Sequence, residues 1–373
     1  MGGELGRVDR LSREAPAWDR FAHWPRAWAV AVLAALAALL LAASLTYPHQ
    51  LKGRGFIHPK GVTQASRDTD LMLYSAIAAR VARGENYYRA AFAEQRARHF
   101  PVTPGLAVRL PTLALLTAAL GMPGLLALGA ALALATLLAW WRRLGIEAGG
   151  REHRIIVMLL IVIGGAVGTK GHYSMLHEVW AGLLMALAFG LHRPGRWWWA
   201  WLAAAAALAL RELALPFVLL LGALALARRD WREAGAWAVL VGLFALALAW
   251  HLSQVSALVL PSDQPGPAWL VFRGLKGWTA NIVSSSSLHR LPHWLGAALA
   301  LLPLIGWAGW KSDAGLTGLL LHAGYGVFFM IAGRDNNFYW GLMVLPTWFV
   351  GMAFVPRALW SLAATALGKS SPS

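Results

Sequence analysis

Residues 27–47 read AWAVAVLAALAALLLAASLTY and contain no charged side chain. At about 1.5 Å per residue, a helix of this length crosses the roughly 30 Å hydrocarbon core of a bilayer. Similar runs recur along the chain, which is 58% hydrophobic and only 13% charged. A soluble domain carries about 25% charge. Because lipid offers backbone groups no hydrogen-bond partner, these runs must be helices, and the chain is predicted to be an all-α polytopic membrane protein.

The apolar runs predict about ten transmembrane helices. They are placed at residues 27–47, 123–141, 154–169, 176–191, 197–211, 213–227, 234–252, 293–310, 314–332 and 338–356. Residues 104–120 are also apolar, but they contain Arg109 and Pro111 and would disturb the charge alternation if counted as a span. We predict a re-entrant or surface-lying helix there, with a further span as the alternative. Residues 1–373 then form one transmembrane domain, with extracytoplasmic loops at 48–122 and 253–292.

Lysine and arginine set the predicted orientation. Sixteen of the 33 fall in six segments: residues 7–20, 142–154, 193–196, 228–232, Lys311 and 357–369. All six lie on one side if the N-terminus is cytoplasmic, and this accounts for the formal net charge of +16. A more specific alternative is that the positive charge serves to bind a phosphate-bearing substrate. The basic residues form no contiguous stripe, so membrane lipids are predicted partners and nucleic acid is not. The absence of cysteine excludes disulfides, thiolate metal sites and a cysteine nucleophile.

Polar residues that this topology leaves unexplained gather on the opposite, outer side. They are Asp68, Asp70, Lys170, His172, Glu178, Arg211, Glu212, Arg334 and Asp335. Ionisable residues at membrane depth are costly to bury and are therefore candidates for function. Since they come from five separate stretches of the chain, we predict that these stretches converge in one outer site.

The first of these stretches, residues 67–88, reads RDTDLMLYSAIAARVARGENYY. Its apolar spacing predicts a short helix that ends at Gly84, where glycine commonly stops a helix. One aspartate can cap such a helix, and Asp68 fits that structural role. Asp70 stands four residues before Tyr74 on the same helix face, so Asp70 is the stronger candidate for chemistry.

The same stretch resembles a known family. Asp70, Tyr74, Ala78, Gly84, Tyr87 and Tyr88 follow the pattern D-x3-Y-x3-A-x5-G-x2-Y-Y. This is similar to the first outer loop of GT-C-type integral-membrane glycosyltransferases, a group that includes the protein mannosyltransferase-like families. Many members carry Asp-Glu where this chain has Asp70-Leu71, so a second carboxylate is absent at that step. The resemblance implies a GT-C-like fold, with short amphipathic helices in the long first outer loop. It also implies residence in a bacterial inner membrane, with the site facing the exterior.

The resemblance also implies a reaction and its residues. A sugar would pass from a polyprenyl-phosphate donor to an acceptor, with inversion, and Asp70 would act as general base, assisted by Asp68. Cations would hold the donor phosphate, and the candidates are Arg211, Arg334, Lys170 and His172. Acceptor contact or support is expected from Tyr74, Glu178, Glu212, Asp335 and Tyr339. A divalent cation is compatible with the resemblance, although no metal-ligand spacing appears.

Each cation also has a purely structural interpretation. Arg211 and Glu212 are adjacent, and adjacent residues of one helix do not face each other, so they are predicted to bind different partners. Arg211 could instead anchor a helix at the membrane interface, and the stretch around Arg334 could be an ordinary turn.

Three other functions stay open at this point. The main one is a multispanning transporter or flippase of a lipid-linked or anionic substrate, which predicts internal repeats and charges near the bilayer midplane. The others are a scaffold for envelope assembly and a lipid-modifying transferase of different chemistry. The sugar, the lipid chain length, the acceptor and the oligomeric state leave no signature in the sequence.

Overall fold

A computed structural model describes residues 16–46, 70–165, 171–263 and 265–368, with the backbone alone for residues 171 and 172. Within these ranges the chain is helical, and extended pairing is limited to two isolated bridges. The all-helical class predicted from the sequence is therefore confirmed.

Most of the helices coincide with apolar runs. They are α1 (Arg26–Ser44), α2 (Asp70–Ala82), α3 (Tyr87–Ala97), α4 (Thr112–Leu144), α5 (Gly150–Gly165), α6 (His177–Leu191), α7 (Trp198–Leu210), α8 (Leu215–Ala227), α9 (Trp231–Ser256), α10 (Gly274–Ser285), α11 (His293–Leu301), α12 (Pro303–Gly309), α13 (Asp313–Ile331), α14 (Leu345–Trp348) and α15 (Val355–Ala366). Short 3-10 segments cover Gly105–Ala107, Gly171–Met175, Glu212–Ala214, Ser287–Arg290, Asp335–Met343 and Phe349–Phe354.

Within the described residues, five helical stretches are long and apolar enough to cross a membrane. They are Arg26–Ser44, Gly105–Leu144, Trp231–Ser256, Asp313–Ile331 and Leu345–Ala366. Four shorter apolar stretches accompany them: His177–Leu191, Trp198–Leu210, Glu212–Ala227 and His293–Gly309. Large apolar side chains such as Leu134, Ile155 and Leu246 point outward from the bundle. An exposed apolar surface of this kind suits lipid contact. The count of about ten spans stays a prediction.

Residues 104–120 contain a short helix of their own, Thr112–Leu120, which a kink separates from the helix that follows. Their helical part opens α4, which is interrupted at Gly121, where φ is 65° and ψ is 177°. Only glycine adopts this backbone conformation at low cost. The nine residues before the break, Thr112–Leu120, make an arm of about 13 Å, too short to cross the bilayer core alone. The arm packs against α2, and the part of α4 after Gly121 is about 35 Å long.

The last predicted span, at 338–356, differs most from the structure. Residues 335–354 alternate 3-10 and α-helical turns, and the regular helix α15 begins only at Val355. This irregular stretch is almost entirely buried. It passes very close to Gly164 of α5 and Gly182 of α6. A Cβ atom at either position would lie 2.1 Å or 2.2 Å from a carbonyl oxygen of this stretch, so only glycine leaves enough room. Irregular backbone at membrane depth is tolerated where protein surrounds it.

The predicted outer loop at 253–292 is also partly buried, because it contains α10. This helix lies along the Asp335–Met343 segment, and the Ser285 hydroxyl donates to the Phe338 carbonyl at 2.8 Å. The loop therefore forms part of the wall behind the outer residues.

The described parts of the six basic segments lie close together at one end of the bundle, which we call the basic end. The Lys311 amide donates to Trp18 O at 2.7 Å, and the Trp310 indole donates to Ala148 O at 2.8 Å. Arg357 donates to Asp19 at 2.6 Å. Arg143 donates to His192 O at 2.8 Å, and the His192 ring pairs with Glu233 at 2.7 Å. Asp70 and the residues around it lie elsewhere in the fold, at what we call the polar end. The described residues of these segments thus lie together, although Arg80, Arg109 and Arg273 lie around the polar end. The assignment of either end to cytoplasm or exterior stays a prediction.

Candidate functional site

Helix α2 carries two of the predicted residues, Asp70 and Tyr74. Its inner face buries Leu73 and Ile77 against α3 and the arm of α4. At the other end of α2, Arg80 pairs with carboxylates of the α2–α3 turn and of α3 at 2.6 Å and 3.1 Å. Packing on one face and ion pairing at the end hold α2 against the bundle, and this leaves Asp70 at its first turn.

The 3-10 segment Asp335–Met343 joins Asp70 to the rest of the site. The Tyr339 hydroxyl donates to Asp70 Oδ2 at 2.9 Å, although the two residues are 269 positions apart. The Asn337 amide lies 3.4 Å from the same hydroxyl, and Asn337 Oδ1 accepts from the Arg334 backbone amide at 3.0 Å. This segment therefore fixes one oxygen of the Asp70 carboxylate.

Arg109 lies beside this pair and was not among the predicted site residues. Its Nε donates to Tyr74 Oη at 3.0 Å, and its Nη2 lies 3.5 Å from Tyr339 Oη. Among the described residues, no carboxylate lies within 4 Å of the Arg109 guanidinium. Burial raises the pKa of Tyr74, and Arg109 opposes that shift. The phenol therefore stays protonated at neutral pH and can donate a hydrogen bond.

Arg211 is buried and already neutralised by carboxylates. Its Nε donates to Glu178 at 2.7 Å, and its Nη1 contacts Glu212. The expectation that Arg211 and Glu212 bind different partners was wrong. Helix α7 ends at Leu210, and Arg211 has extended backbone angles (φ −153°, ψ 120°), so the helical rule for adjacent residues does not apply. Its Nη2 has no hydrogen-bond partner within the described part of the chain.

A second basic group surrounds Asp335. Arg273 Nη2 and Lys276 Nζ lie 3.4 Å and 3.9 Å from the Asp335 carboxylate, and Arg273 Nη1 donates to Asn281 at 3.1 Å. Burial lowers the pKa of Arg273, and Asp335 acts in the opposite direction. Asp335 and Tyr339 stand four residues apart on one 3-10 segment, which is kinked at Asn337 between them. The second basic group and the Asp70 pair are therefore neighbours along that segment.

A cleft opens next to Arg109, between α2, α3, the arm of α4 and the start of α6. Its enclosed volume is about 20 Å³, room for about one water molecule. The lining residues are Leu73, Tyr74, Ile77, Ala78, Tyr87, Gln95, Ala107, Arg109, Leu113, Ala114, Thr117, Met175 and His177. Its walls are mainly apolar, and the polar side chains are few.

The predicted residues divide into three sets. Asp70, Tyr74, Glu178, Arg211, Glu212 and Tyr339 lie around Arg109 and the cleft. Arg334 and Asp335 lie at the far end of the 3-10 segment, near Arg273. Asp68, Lys170 and the His172 side chain lie outside the described residues.

Sequence reasoning missed Arg109, Arg273, Lys276, Asn281 and Asn337. For Arg109 a signal existed, since it is the one charged residue of an apolar segment broken by proline. The others stand in polar stretches and had no such signal. Among the described residues, no group of three or more histidine, aspartate or glutamate side chains could hold a metal ion.

No known protein family, curated protein sequence or solved structure matches this chain.

Proposed function

We propose that this protein is an inverting GT-C-type glycosyltransferase that moves a sugar from a polyprenyl-phosphate donor to an acceptor on the extracytoplasmic side of the membrane. The observation that carries the proposal is the Asp70 carboxylate, held at 2.9 Å by Tyr339 and next to the Arg109 guanidinium. A carboxylate and a cation within one small network are the groups that this reaction needs.

In the proposed step, Asp70 takes the proton of the acceptor hydroxyl as the acceptor oxygen attacks the anomeric carbon. The bond between that carbon and the phosphate oxygen breaks, and its electron pair leaves with the polyprenyl phosphate. A single displacement inverts the anomeric centre. The hydrogen bond from the Tyr339 hydroxyl holds the Asp70 carboxylate in position.

Arg109 is the best candidate to stabilise the charge that grows on the departing phosphate. Its described partners are neutral phenols and a carbonyl group, so its charge is available to a ligand. Arg211 is less suited, because two carboxylates already neutralise it. In this proposal Arg211 holds Glu178 and Glu212 in place. Arg273, Lys276 and Arg334 form a second group of cations, around the start of the Asp335–Met343 segment, for the rest of the phosphate or the lipid headgroup.

The test uses purified protein in lipid nanodiscs with a panel of polyprenyl-phosphate sugars and candidate acceptors. Release of polyprenyl phosphate and the glycosylated product are followed by mass spectrometry. Losing a general base typically costs a factor of about 10² to 10⁴ in rate, so Asp70→Asn should lose turnover to that extent while still binding donor.

Asp313→Asn is the matched control, because Asp313 also stands in the first turn of a helix but at the basic end. It should turn over like the unmodified protein. Silence of folded protein across the whole panel would contradict the proposal, as would an Asp70→Asn variant with full turnover. Movement of labelled substrate across proteoliposomes without any glycosyl product would favour a transporter.

A further inference from the structure

Two turns at the basic end are joined by one buried carboxylate. The Glu233 carboxylate bonds to the His192 ring at 2.7 Å and to Arg228 Nη2 at 3.1 Å. His192 begins the turn between α6 and α7, while Arg228 and Glu233 flank the turn between α8 and α9. The Trp201 indole also donates to Ala236 O at 2.8 Å, so the first turns of α7 and α9 pack together. The two turns therefore form one continuous face.

Four arginines of these turns form what we call the arginine surface. They are Arg193, Arg196, Arg229 and Arg232. Three of them are exposed and Arg193 is partly exposed, so a ligand can reach their guanidinium groups. Among the described residues, no carboxylate pairs with any of the four, because Glu233 is engaged by His192 and Arg228. The arginine surface is thus an open concentration of positive charge.

The turn between α6 and α7 places two of these arginines side by side. Residues 193–196 read Arg-Pro-Gly-Arg, and the Arg196 amide donates to Arg193 O at 2.9 Å. Proline in the second position and Gly195 with φ of 76° in the third fit a type II turn. The Cα atoms at the ends of such a turn lie within about 7 Å of each other. Two guanidinium groups can therefore reach the same anion.

The turn between α8 and α9 places its two arginines where folding does not favour them. Helix α8 ends in a Schellman motif, in which the Arg229 amide donates to Leu226 O at 2.9 Å and the Asp230 amide donates to Ala225 O at 3.0 Å. Arg229 has a left-handed φ of 58°, at the position where glycine is usual. Arg232 stands in the first turn of α9, where the helix dipole opposes a cation. Binding explains these two side chains better than folding does.

Exposed tryptophans show the depth at which the arginine surface lies. Trp198 and Trp199 follow the first turn and stack with ring centroids 3.8 Å apart, and Trp231 follows the second turn. Their exposed fractions are 52%, 57% and 70%. Tryptophan collects where lipid headgroups meet water. Farther along the same helices, Leu202 and Leu219 are exposed, as suits the hydrocarbon region. The nearest anions at this depth are lipid phosphates.

We infer that the arginine surface is a binding site for an anionic phospholipid, with the lipid phosphate on the four arginines and the acyl chains along α7 and α8. A guanidinium binds phosphate oxygens in pairs, which suits this headgroup. Phosphatidylcholine carries the same phosphate, but the arginines would repel its choline cation. The inference does not rest on the proposed function, because this surface lies at the basic end, away from Asp70.

The test measures lipid binding to the full chain in detergent by native mass spectrometry. The probes are dioleoyl phosphatidylglycerol and dioleoyl phosphatidylcholine, which share their acyl chains and differ in net charge. The first phosphatidylglycerol should bind at least about tenfold more tightly than phosphatidylcholine. Glycerol 3-phosphate, which lacks the acyl chains, should displace it only weakly.

Charge-matched variants separate a defined site from the general excess of positive charge. Arg196→Gln with Arg232→Gln removes one cation from each turn and should abolish most of the preference for phosphatidylglycerol. Arg151→Gln with Lys311→Gln is the control, because it removes two exposed cations at another part of the basic end. The control should keep the preference, since the positive-inside rule depends on the number of charges and not on this cluster.

Arg229→Gly separates binding from folding. It removes one guanidinium group and supplies the residue that the left-handed backbone favours. Phosphatidylglycerol should bind about fivefold more weakly. The midpoint of unfolding in sodium dodecyl sulfate should stay the same or rise, so the weaker binding cannot come from a misfolded protein.

Four results would overturn the inference. The first is equal binding of the two lipids to the unmodified protein. The second is an equal loss of preference in the two double variants, which would leave only the total charge as the cause. The third is full phosphatidylglycerol affinity in Arg229→Gly. The fourth is displacement by an equal concentration of glycerol 3-phosphate, which would indicate a site for soluble anions.

Discussion

Arg211 provides the sharpest test of how the polar end is held together. In the fold its guanidinium is 1% exposed and is shared by Glu178, also 1% exposed, and Glu212, 16% exposed. Arg211→Met removes the cation and leaves two carboxylates enclosed in protein. Breaking a buried ion pair in this way typically costs about 3–5 kcal/mol. The folded-to-unfolded ratio should therefore fall by roughly two to four orders of magnitude.

The assay is reversible unfolding in mixed micelles with increasing sodium dodecyl sulfate, followed by tryptophan fluorescence. Arg80→Met is the matched control, since Arg80 also contacts two carboxylates but is 29% exposed. Solvent screens exposed ion pairs of this kind, so the unfolding midpoint of Arg80→Met should stay close to that of the unmodified protein. The double variant Arg211→Met with Glu178→Gln should lose less free energy of unfolding than the two single variants lose together. The difference should be about 0.5–3 kcal/mol.

The reasoning fails if Arg211→Met unfolds no earlier than Arg80→Met. The alternative role for Arg211, a direct phosphate ligand, makes the opposite prediction. Donor binding would then weaken while the unfolding midpoint stayed unchanged. Measuring both quantities on one preparation decides between a residue that supports the site and one that contacts the donor.

Three further predictions concern orientation, packing and pH. Since the chain has no cysteine, Glu85→Cys should react with an impermeant maleimide on intact cells and Glu152→Cys only after permeabilisation; the reverse pattern would invert the predicted topology. Gly182→Ala places a methyl group 2.2 Å from a backbone carbonyl oxygen and should cost about 1–3 kcal/mol in the unfolding assay. In Gly242→Ala the added methyl group has no atom within 4 Å, so this variant should be neutral or stabilising by at most about 1 kcal/mol. Equal losses of stability in Gly182→Ala and Gly242→Ala would refute the close packing at Gly182. Hydrogen bonds from its arginine partner hold the pKa of Asp263 at about 2, below the ordinary 3.8. The folded state then binds fewer protons than the unfolded state, so the stability from this pair is complete above about pH 4 and disappears as the pH falls towards 2. The difference in unfolding midpoint between the unmodified protein and Asp263→Asn should be largest above about pH 4 and should shrink as the pH falls towards 2. An undiminished difference at about pH 2 would contradict this prediction.

Local sequence determined most of the helices. The helix Arg26–Ser44 lies almost at the bounds predicted for the first span, because an apolar run in lipid has no other way to satisfy its backbone groups. The described parts of the six basic segments lie together because they connect successive apolar helices at one end. These features depend on composition over a few turns of chain.

The tertiary structure alone decided which polar groups meet. Asp70 and Tyr339 are 269 residues apart, and no local pattern predicts that their side chains touch. Arg109 becomes central because the break at Gly121 folds the arm of α4 onto α2. Arg211 and Glu212 contact each other because α7 ends at Leu210 and the backbone of Arg211 is extended. In each case the position of a side chain follows from a break in the helix or from distant packing, and neither property is encoded in the periodicity of the segment itself.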